Sequence, residues 1–348
     1  MSFLKLIFGN KGPKQVSIVN KDTILEVSPS ETILERALKK GLNYPHDCTV
    51  GTCGSCRTKL LSGKVEAITP FGYALSKDEL ETGYILACQA LVKSDLEIEV
   101  DIGGADNIEP VTQSAKLANM VSLTHDIKKI TWEVKTPMTW RAGQYVNVRW
   151  NDGDQHRSYS FATAPSKEGS NQLVTFMRHV PGGALTDQFF LHDPAELKFE
   201  VNGPHGNFWL RDGKGPLLCI AGGSGLAPIV SLLQDAANRK IRRDIILLFG
   251  ARTKKDLYGE KDIATIRNAW TAGFKFWQIL SEDKAPDMRH GWVTDFIPEA
   301  LEKLGSEAQA YMCGPPPMID AGIAKLKECG ISLDEIFYDK FTDKSSTT

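Results

Sequence analysis

His46-Asp47-Cys48-Thr49-Val50-Gly51-Thr52-Cys53-Gly54-Ser55-Cys56 is the stretch on which the reading of this chain turns, because a fourth cysteine, Cys88, completes its pattern far downstream. The spacing is C-x4-C-x2-C with one late partner. Three thiolates from a single loop and one from elsewhere form the ligand arrangement of a [2Fe-2S] cluster, which places Cys48, Cys53, Cys56 and Cys88 on the irons. Gly51 and Gly54 let the loop curl closely, so that backbone N–H groups can turn toward the sulfurs and stabilise an added electron. Scattered core cysteines and a zinc site are the competing readings. Zinc sites favour paired C-x2-C units, and this loop offers one.

Composition bounds the rest. A chain of 348 residues exceeds what one core usually holds, and about 100 to 200 residues per domain implies two or three units. With 42% apolar and 24% charged residues it has the make-up of an ordinary globular protein. The net charge of −2 leaves no basic field for nucleic acid. The first hundred residues hold twelve Lys/Arg and twelve Asp/Glu, so no dominant charge selects a redox partner for the cluster-bearing part. Cys219, Cys313 and Cys329 remain, an odd set in apolar or helical settings. They point to a reducing compartment, the cytoplasm, rather than a disulfide framework. The apolar start Ser2–Phe8 is far shorter than the roughly 18 residues of a membrane span and lacks a small-residue cleavage site. It reads as a frayed or docked terminus. No transmembrane segment is expected, although an electron acceptor could itself be membrane-bound.

Three units follow one another. Residues 14–20 and 23–28 alternate as a hairpin, and Ser30 is the expected cap of a helix whose Ile33, Leu34, Ala37 and Leu38 share one face before Gly41 stops it. A short hairpin turning at Ser62-Gly63 follows the cysteine loop, and Leu96, Ile98 and Val100 alternate with acidic residues as a half-buried strand. Residues 1–102 therefore make a small α+β unit, with 103–112 as linker. Residues 113–212 show short strands punctuated by Gly, Pro and Asp, the pattern of an antiparallel β-barrel or sandwich. From 213 to 348 apolar strands alternate with helical stretches, the pattern of a parallel, helix-flanked α/β sheet.

Three motifs carry the chemistry of the latter two units. Arg157-Ser158-Tyr159-Ser160-Phe161 offers a guanidinium suited to phosphate and an aromatic face suited to a planar ring. Gly222-Gly223-Ser224-Gly225-Leu226-Ala227-Pro228 is G-x-G-x-x-P between a strand and a helix. Gly223 and Gly225 give a pyrophosphate close access to the backbone, and Pro228 fits the first helical turn, where its missing N–H costs little. Cys313-Gly314-Pro315-Pro316-Pro317-Met318 ends a later strand; a buried structural thiol explains Cys313 equally well. No Asp or Glu ends Phe249-Gly250-Ala251-Arg252, where an ordinary Rossmann dehydrogenase holds the ribose.

Together these motifs resemble the ferredoxin–NADP reductase superfamily, with a plant-type ferredoxin in front. The order of ferredoxin, flavin and nicotinamide modules looks like the reductase components of bacterial aromatic oxygenases, those of xylene monooxygenase and benzoate dioxygenase among them. The resemblance implies a β-grasp ferredoxin domain, FAD and NADH as cofactors, and specific roles. Arg157 would pair with the FAD pyrophosphate, Tyr159 would stack on the isoalloxazine and Ser160 would hydrogen-bond near flavin N5. Gly183, Ala184 and Thr186, in Arg178–Thr186, would receive the flavin pyrophosphate at a short helix. Cys313 and Gly314 would lie against the nicotinamide, and Phe341 would cover the flavin, which makes Ser160, Cys313 and Phe341 the catalytic positions. In NADPH-using relatives a Ser-Arg pair grips the 2′-phosphate. Here Ser281-Glu282-Asp283 occupies that place, which favours NADH, with Arg252, Lys254 and Lys255 on a neighbouring loop. The expected activity is electron transfer from NADH through FAD and the cluster to an oxygenase or hydroxylase component, or to an intermediate ferredoxin. A reductase for deoxysugar biosynthesis shares the same order, and a non-enzymatic iron–sulfur carrier would hold a cluster without oxidising NADH.

Overall fold

The computed structural model describes residues 12–42, 44–46, 49–51, 54–100, 102, 108–151 and 155–341. The chain divides into two compact units, Met1–Asn107 and Ile108–Thr348.

The first unit is built from β1 (Lys14–Ile18), β2 (Thr23–Val27), α1 (Ile33–Lys39), β3 (Arg57–Ser62), β4 (Val65–Ala67), α2 (Lys77–Glu81), β5 (Tyr84–Leu86), β6 (Ala90–Val92) and β7 (Leu96–Glu99). Five strands form a mixed sheet in the order β2-β1-β7-β3-β5, with β1 and β7 parallel. Alternation in β7 buries Leu96 and Ile98 and exposes Glu97 and Glu99, the half-buried pattern expected of an amphipathic strand. Ile33, Leu34 and Ala37 of α1 are buried in the same core as Val16, Ile18, Leu25 and Ile98, whereas Leu38 is 37% exposed. The cap of α1 is Thr32 rather than Ser30. Its hydroxyl accepts from the Glu35 amide while Glu35 reaches back to the Thr32 amide, a reciprocal box that Ser30, two residues earlier, is placed too far back to make. Gly63 does turn the chain, at φ +99°, but no β3–β4 hairpin forms. β4 pairs with β6 instead, and β3 spends its edges on β5 and β7.

The second unit opens with β8 (Val111–Ser122), β9 (Ile127–Met138), β10 (Tyr145–Trp150), β11 (His156–Ser160), β12 (Ser170–Arg178), α3 (Thr186–Phe190) and β13 (Phe199–His205). These strands make one six-stranded sheet in the order β11-β10-β13-β8-β9-β12. A bridge between Phe161 and Thr175 links its two outer strands, so the sheet curls into a barrel. Trp132 fills the middle, fully buried, with its indole N–H donating to Thr175 Oγ1 at 3.0 Å and its ring edge-on to Phe189 and Phe199.

The chain continues through β14 (Leu217–Gly222), α4 (Leu226–Asn238), β15 (Ile245–Ala251), α5 (Glu260–Ala269), β16 (Phe274–Leu280), β17 (Arg289–His290), α6 (Ile297–Leu304), β18 (Gln309–Gly314), α7 (Pro316–Glu328) and β19 (Ile336–Lys340). The sheet order is β17-β16-β15-β14-β18-β19, parallel throughout. Both faces of β14 are covered. Leu217, Cys219 and Ala221 pack with α4 and α5, while Leu218 and Ile220 pack with α6 and α7, as period two requires. The α4 side of this core also takes in Ile127, Ala162, Phe176 and Phe208 of the barrel, so barrel and parallel sheet share apolar packing. Among the described residues no helix is long and apolar enough to cross a membrane.

Candidate functional site

In the first unit Cys56 precedes β3 and Cys88 lies in a tight turn between β5 and β6. Both are buried free thiols, and their sulfurs are 3.2 Å apart. Two thiolates on one tetrahedral metal with bonds of about 2.3 Å stand at about 3.8 Å, so this pair is poised to share an iron with little movement. The Cys88 amide points at Cys56 Sγ from 3.5 Å, and the Ala87 amide donates to the Cys56 carbonyl at 3.1 Å. Gln89 ties the loop to this turn. Its Nε2 lies 3.2 Å from the Thr49 carbonyl, 3.0 Å from the Cys88 carbonyl and 3.7 Å from Cys88 Sγ, and its Oε1 accepts from Thr69 at 2.8 Å. Gly51 has φ +85°, and a Cβ there would meet Gln89 Cγ at 2.7 Å, which explains why glycine is needed. Cys48 and Cys53 lie outside the described residues.

Beneath the loop, Tyr44 and Thr58 hydroxyls are 2.6 Å apart, and Thr58 donates to the Cys56 carbonyl at 3.1 Å. Burial pushes the Tyr44 phenol well above its ordinary range, so it remains a neutral hydrogen-bonding strut. Arg57, next to Cys56, pairs with Glu79 at 2.8 Å. Burial works against the charge of Glu79, but Arg57 and the Ser76 amide and hydroxyl outweigh it and hold the carboxyl below the usual range.

In the second unit strand alternation puts Arg157 and Tyr159 of β11 on one face, as contacts to one extended ligand require. Arg157 donates to the His156 carbonyl at 2.8 Å, and Tyr159 packs on the barrel core. Ser160 projects to the other side and is buried. In the segment before α3, a Cβ on Gly183 would fall 2.5 Å from Thr186 Oγ1 and 2.7 Å from the Val180 carbonyl. Thr186 donates its hydroxyl proton to the Val180 carbonyl at 3.0 Å and accepts from the Val180 amide at 3.2 Å. The Gly183 amide donates to Val180 as well. Both residues therefore shape the turn, while Ala184 is exposed at its tip.

The glycine motif sits where the order of the parallel sheet reverses, between β14 and β18, the crevice in which such sheets bind ligands. Gly223 has φ +55° and its carbonyl accepts from the Tyr258 hydroxyl at 2.9 Å. A Cβ on Gly225 would lie 2.3 Å from the Cys313 carbonyl oxygen, so this turn rests directly on the end of β18. Pro228 is buried in the first turn of α4. Cys313 is fully buried, and burial, with a further contribution from the Asp339 charge, pushes its thiol far up. Its thiol is held neutral at the end of β18. The Phe341 amide donates to the Gly314 carbonyl at 2.9 Å, and the Phe341 ring packs on the same core. The residues beyond it lie outside the described part of the chain.

Two contacts tie the chain after β11 to α4. Ser231 of α4 donates to the Thr163 carbonyl at 2.6 Å, and Gln234 accepts from the Ala164 amide at 3.0 Å. The chain leaving β11 is thus bolted to the helix that begins at the glycine turn. Tyr258, which no sequence motif marks, joins that turn to Phe176 of β12 and Phe249 of β15 by edge-on ring contacts. Gln89 likewise carries no motif of its own. At the ends of β15 and β16, Glu282 and Asp283 amides donate to the Arg252 carbonyl, and the Asp283 carboxylate caps the Lys254 amide at 2.8 Å.

Comparison with known proteins agrees with this architecture. Residues 16–93 match the 2Fe-2S iron-sulfur cluster binding domain, 114–209 the oxidoreductase FAD-binding domain and 219–322 the oxidoreductase NAD-binding domain. The chain is 36% identical to the xylene/toluene monooxygenase electron transfer component of Pseudomonas putida, over 94% of each chain. It is 32% identical to the propane 2-monooxygenase reductase component of a Gordonia species, over 94% of this chain and 97% of that one. Among solved structures, an Amycolatopsis cytochrome P450 reductase superposes with a TM-score of 0.70 at 31% identity, covering 95% of this chain and 99% of the other.

Proposed function

The chain belongs to the family of three-module electron-transfer reductases that join a [2Fe-2S] domain to FAD- and NAD-binding oxidoreductase domains, and from this premise we propose that it takes electrons from NADH and passes them singly to a separate oxygenase component in the cytoplasm. The observation that carries the proposal is the bolting of α4 to the chain after β11, which holds the nucleotide turn and the flavin strand in one core. When bound, the flavin supplies the exchange between a two-electron donor and a one-electron iron–sulfur acceptor.

The chain's own residues do the positioning. Arg157 offers fork-like donors to the flavin pyrophosphate, Tyr159 a ring face and Ser160 a hydroxyl. Ala184 presents its backbone at the tip of a turn that Gly183 and Thr186 hold in shape. Gly223 and Gly225 leave room for the dinucleotide pyrophosphate at the start of α4, with Pro228 removing an N–H where none is needed. Gly314 and the neutral Cys313 floor the nicotinamide end, and Phe341 walls it. Cys48, Cys53, Cys56 and Cys88 supply the four thiolates. NADH is preferred because Glu282 and Asp283 crowd the strand ends with negative charge. An oxygenase as acceptor is supported by the relatives, whose names tie them to xylene/toluene and propane monooxygenases.

Replacement of Cys56 by Ser tests the order of flow. Iron content should fall, since a harder oxygen ligand suits these irons poorly, and NADH-driven reduction of cytochrome c should fall with it. FAD content and NADH-driven reduction of ferricyanide should persist. Undiminished cytochrome c reduction would mean that electrons leave from the flavin. Joint loss of both activities with FAD still bound would show that the cluster is required upstream.

A further inference from the structure

We propose that Asp126, on the turn between β8 and β9 of the flavin module, sets the choice between nucleotides by keeping Arg252 of the nucleotide module away from a 2′-phosphate. The proposal rests on the preference for NADH put forward above. Arg252 directly follows β15. Its backbone carbonyl accepts from the Glu282 and Asp283 amides, so Arg252 stands beside the segment that occupies the place of the 2′-phosphate-gripping pair, and a guanidinium there suits a phosphate monoester. By position alone Arg252 invites NADPH.

Its guanidinium is already engaged. The side chain is half exposed, yet Nη2 lies 3.5 Å from Asp126 Oδ2 and 3.5 Å from Asp256 Oδ1. Both carboxylates are themselves fixed. Asp126 receives Arg178 Nε at 3.1 Å and the Thr124 hydroxyl at 2.9 Å, and its backbone carbonyl accepts from the His179 amide at 2.8 Å. Asp256 accepts from the Thr253 amide at 2.8 Å and hydroxyl at 2.9 Å, with His125 Nδ1 at 3.7 Å. Partial burial opposes the charge on Asp256, but Thr253, Arg252 and His125 together hold its carboxyl below the usual range. Two carboxylates thus balance two guanidiniums across the modules. Nearby, Lys254 Nζ meets Asp287 at 3.4 Å. A phosphate monoester brings about −1.5 to −2 charges, so a 2′-phosphate approaching Arg252 has to compete with both carboxylates for its guanidinium. A nucleotide with a free 2′-hydroxyl need not.

The test is the dissociation constant of NADP+ and of NAD+ for the full-length, flavin- and cluster-loaded protein, measured by calorimetry, with kcat/KM for NADPH and NADH alongside. Asp126→Asn keeps the shape and the backbone carbonyl but removes the charge. NADP+ should then bind roughly tenfold more tightly, the scale of one charge-assisted hydrogen bond, with NAD+ changed less than about twofold. Adding Arg252→Gln to that variant should abolish the gain. Arg252→Gln alone should leave NADP+ affinity nearly unchanged, because the guanidinium is occupied. No tightening in Asp126→Asn, or a gain that survives Arg252→Gln, overturns the role of Asp126. A large loss of NADP+ affinity in Arg252→Gln alone overturns it too, and that arm stands even where Asp126→Asn folds poorly. Equal affinity of the wild-type protein for NAD+ and NADP+ overturns the nucleotide preference itself, a separate failure read without any variant.

Discussion

Gln89 shows how much of an iron–sulfur site lies outside its cysteines. One buried amide reaches the Thr49 carbonyl, the Cys88 carbonyl and Cys88 Sγ, so it both closes the loop and directs positive charge at the Cys88 sulfur. Hydrogen bonds to the sulfurs help set cluster potentials. Gln89→Leu is therefore expected to make the cluster potential more negative and its loss to chelators faster, as measured by redox titration and iron release; an unchanged midpoint potential would count against the N–H···S contact. Gly225 carries comparable weight at the other site. A Cβ there collides with the Cys313 carbonyl, a backbone atom that cannot swing aside, so Gly225→Ala must push the start of α4 off β18. A misplacement of about 1 Å at a reacting centre costs on the order of a hundredfold, and kcat/KM for NADH should fall by about that factor while FAD stays bound. Gly225 was legible in sequence as part of the G-x-G-x-x-P pattern. Gln89 was not, because its importance comes from the loop being folded against it.

At the scale of elements, the sequence was most readable where periodicity and glycine coincide. Strand β7, the strand–turn–helix from Leu217 to Asn238 and the parallel alternation after it follow from apolar spacing alone. The misreadings arose where partners are distant. The turn at Gly63 was visible, but the choice of β6 rather than β3 as partner of β4 depends on a strand more than twenty residues away. Likewise Thr32 displaced Ser30 as cap because Glu35 stands three residues on. Helix α2 has the same reciprocal cap, Ser76 with Glu79, and Glu79 also pairs with Arg57 beside Cys56. The Glu79 side chain is 2% exposed and that of Arg57 19%, so removing the carboxylate breaks a largely buried ion pair beside Cys56, at about 3 kcal/mol. The pH dependence follows from the lowered carboxyl. Its stabilisation is complete above the unfolded glutamate value of about 4.3 and is lost as pH falls through the lower folded value. Wild-type cluster retention should thus decline in acid below that range more steeply than that of Glu79→Gln, which starts less stable and lacks this titration; parallel acid profiles would remove Glu79 from the account.

At the scale of the whole molecule, the reading of a boundary at 212/213 meets a core that crosses it. Ile127, Ala162, Phe176 and Phe208 of the barrel pack in one apolar cluster with Cys219, Leu226, Ala227 and Phe249 of the parallel sheet, and Phe176 meets the Tyr258 ring edge-on at 5.6 Å. Sequence marks where strands change from antiparallel to parallel pattern, but cannot show that two patterns bury their faces against each other. A shared core couples the unfolding of the elements that line it. In urea, flavin release and loss of NAD+ binding by the full chain should share one midpoint. Phe176→Ala, a cavity on the barrel side, should cost about 3 to 5 kcal/mol and move both midpoints together. Flavin release shifting alone, with NAD+ binding lost at the wild-type midpoint, would mean that the parallel sheet keeps a core of its own and that the packing across residue 212 adds little to its stability.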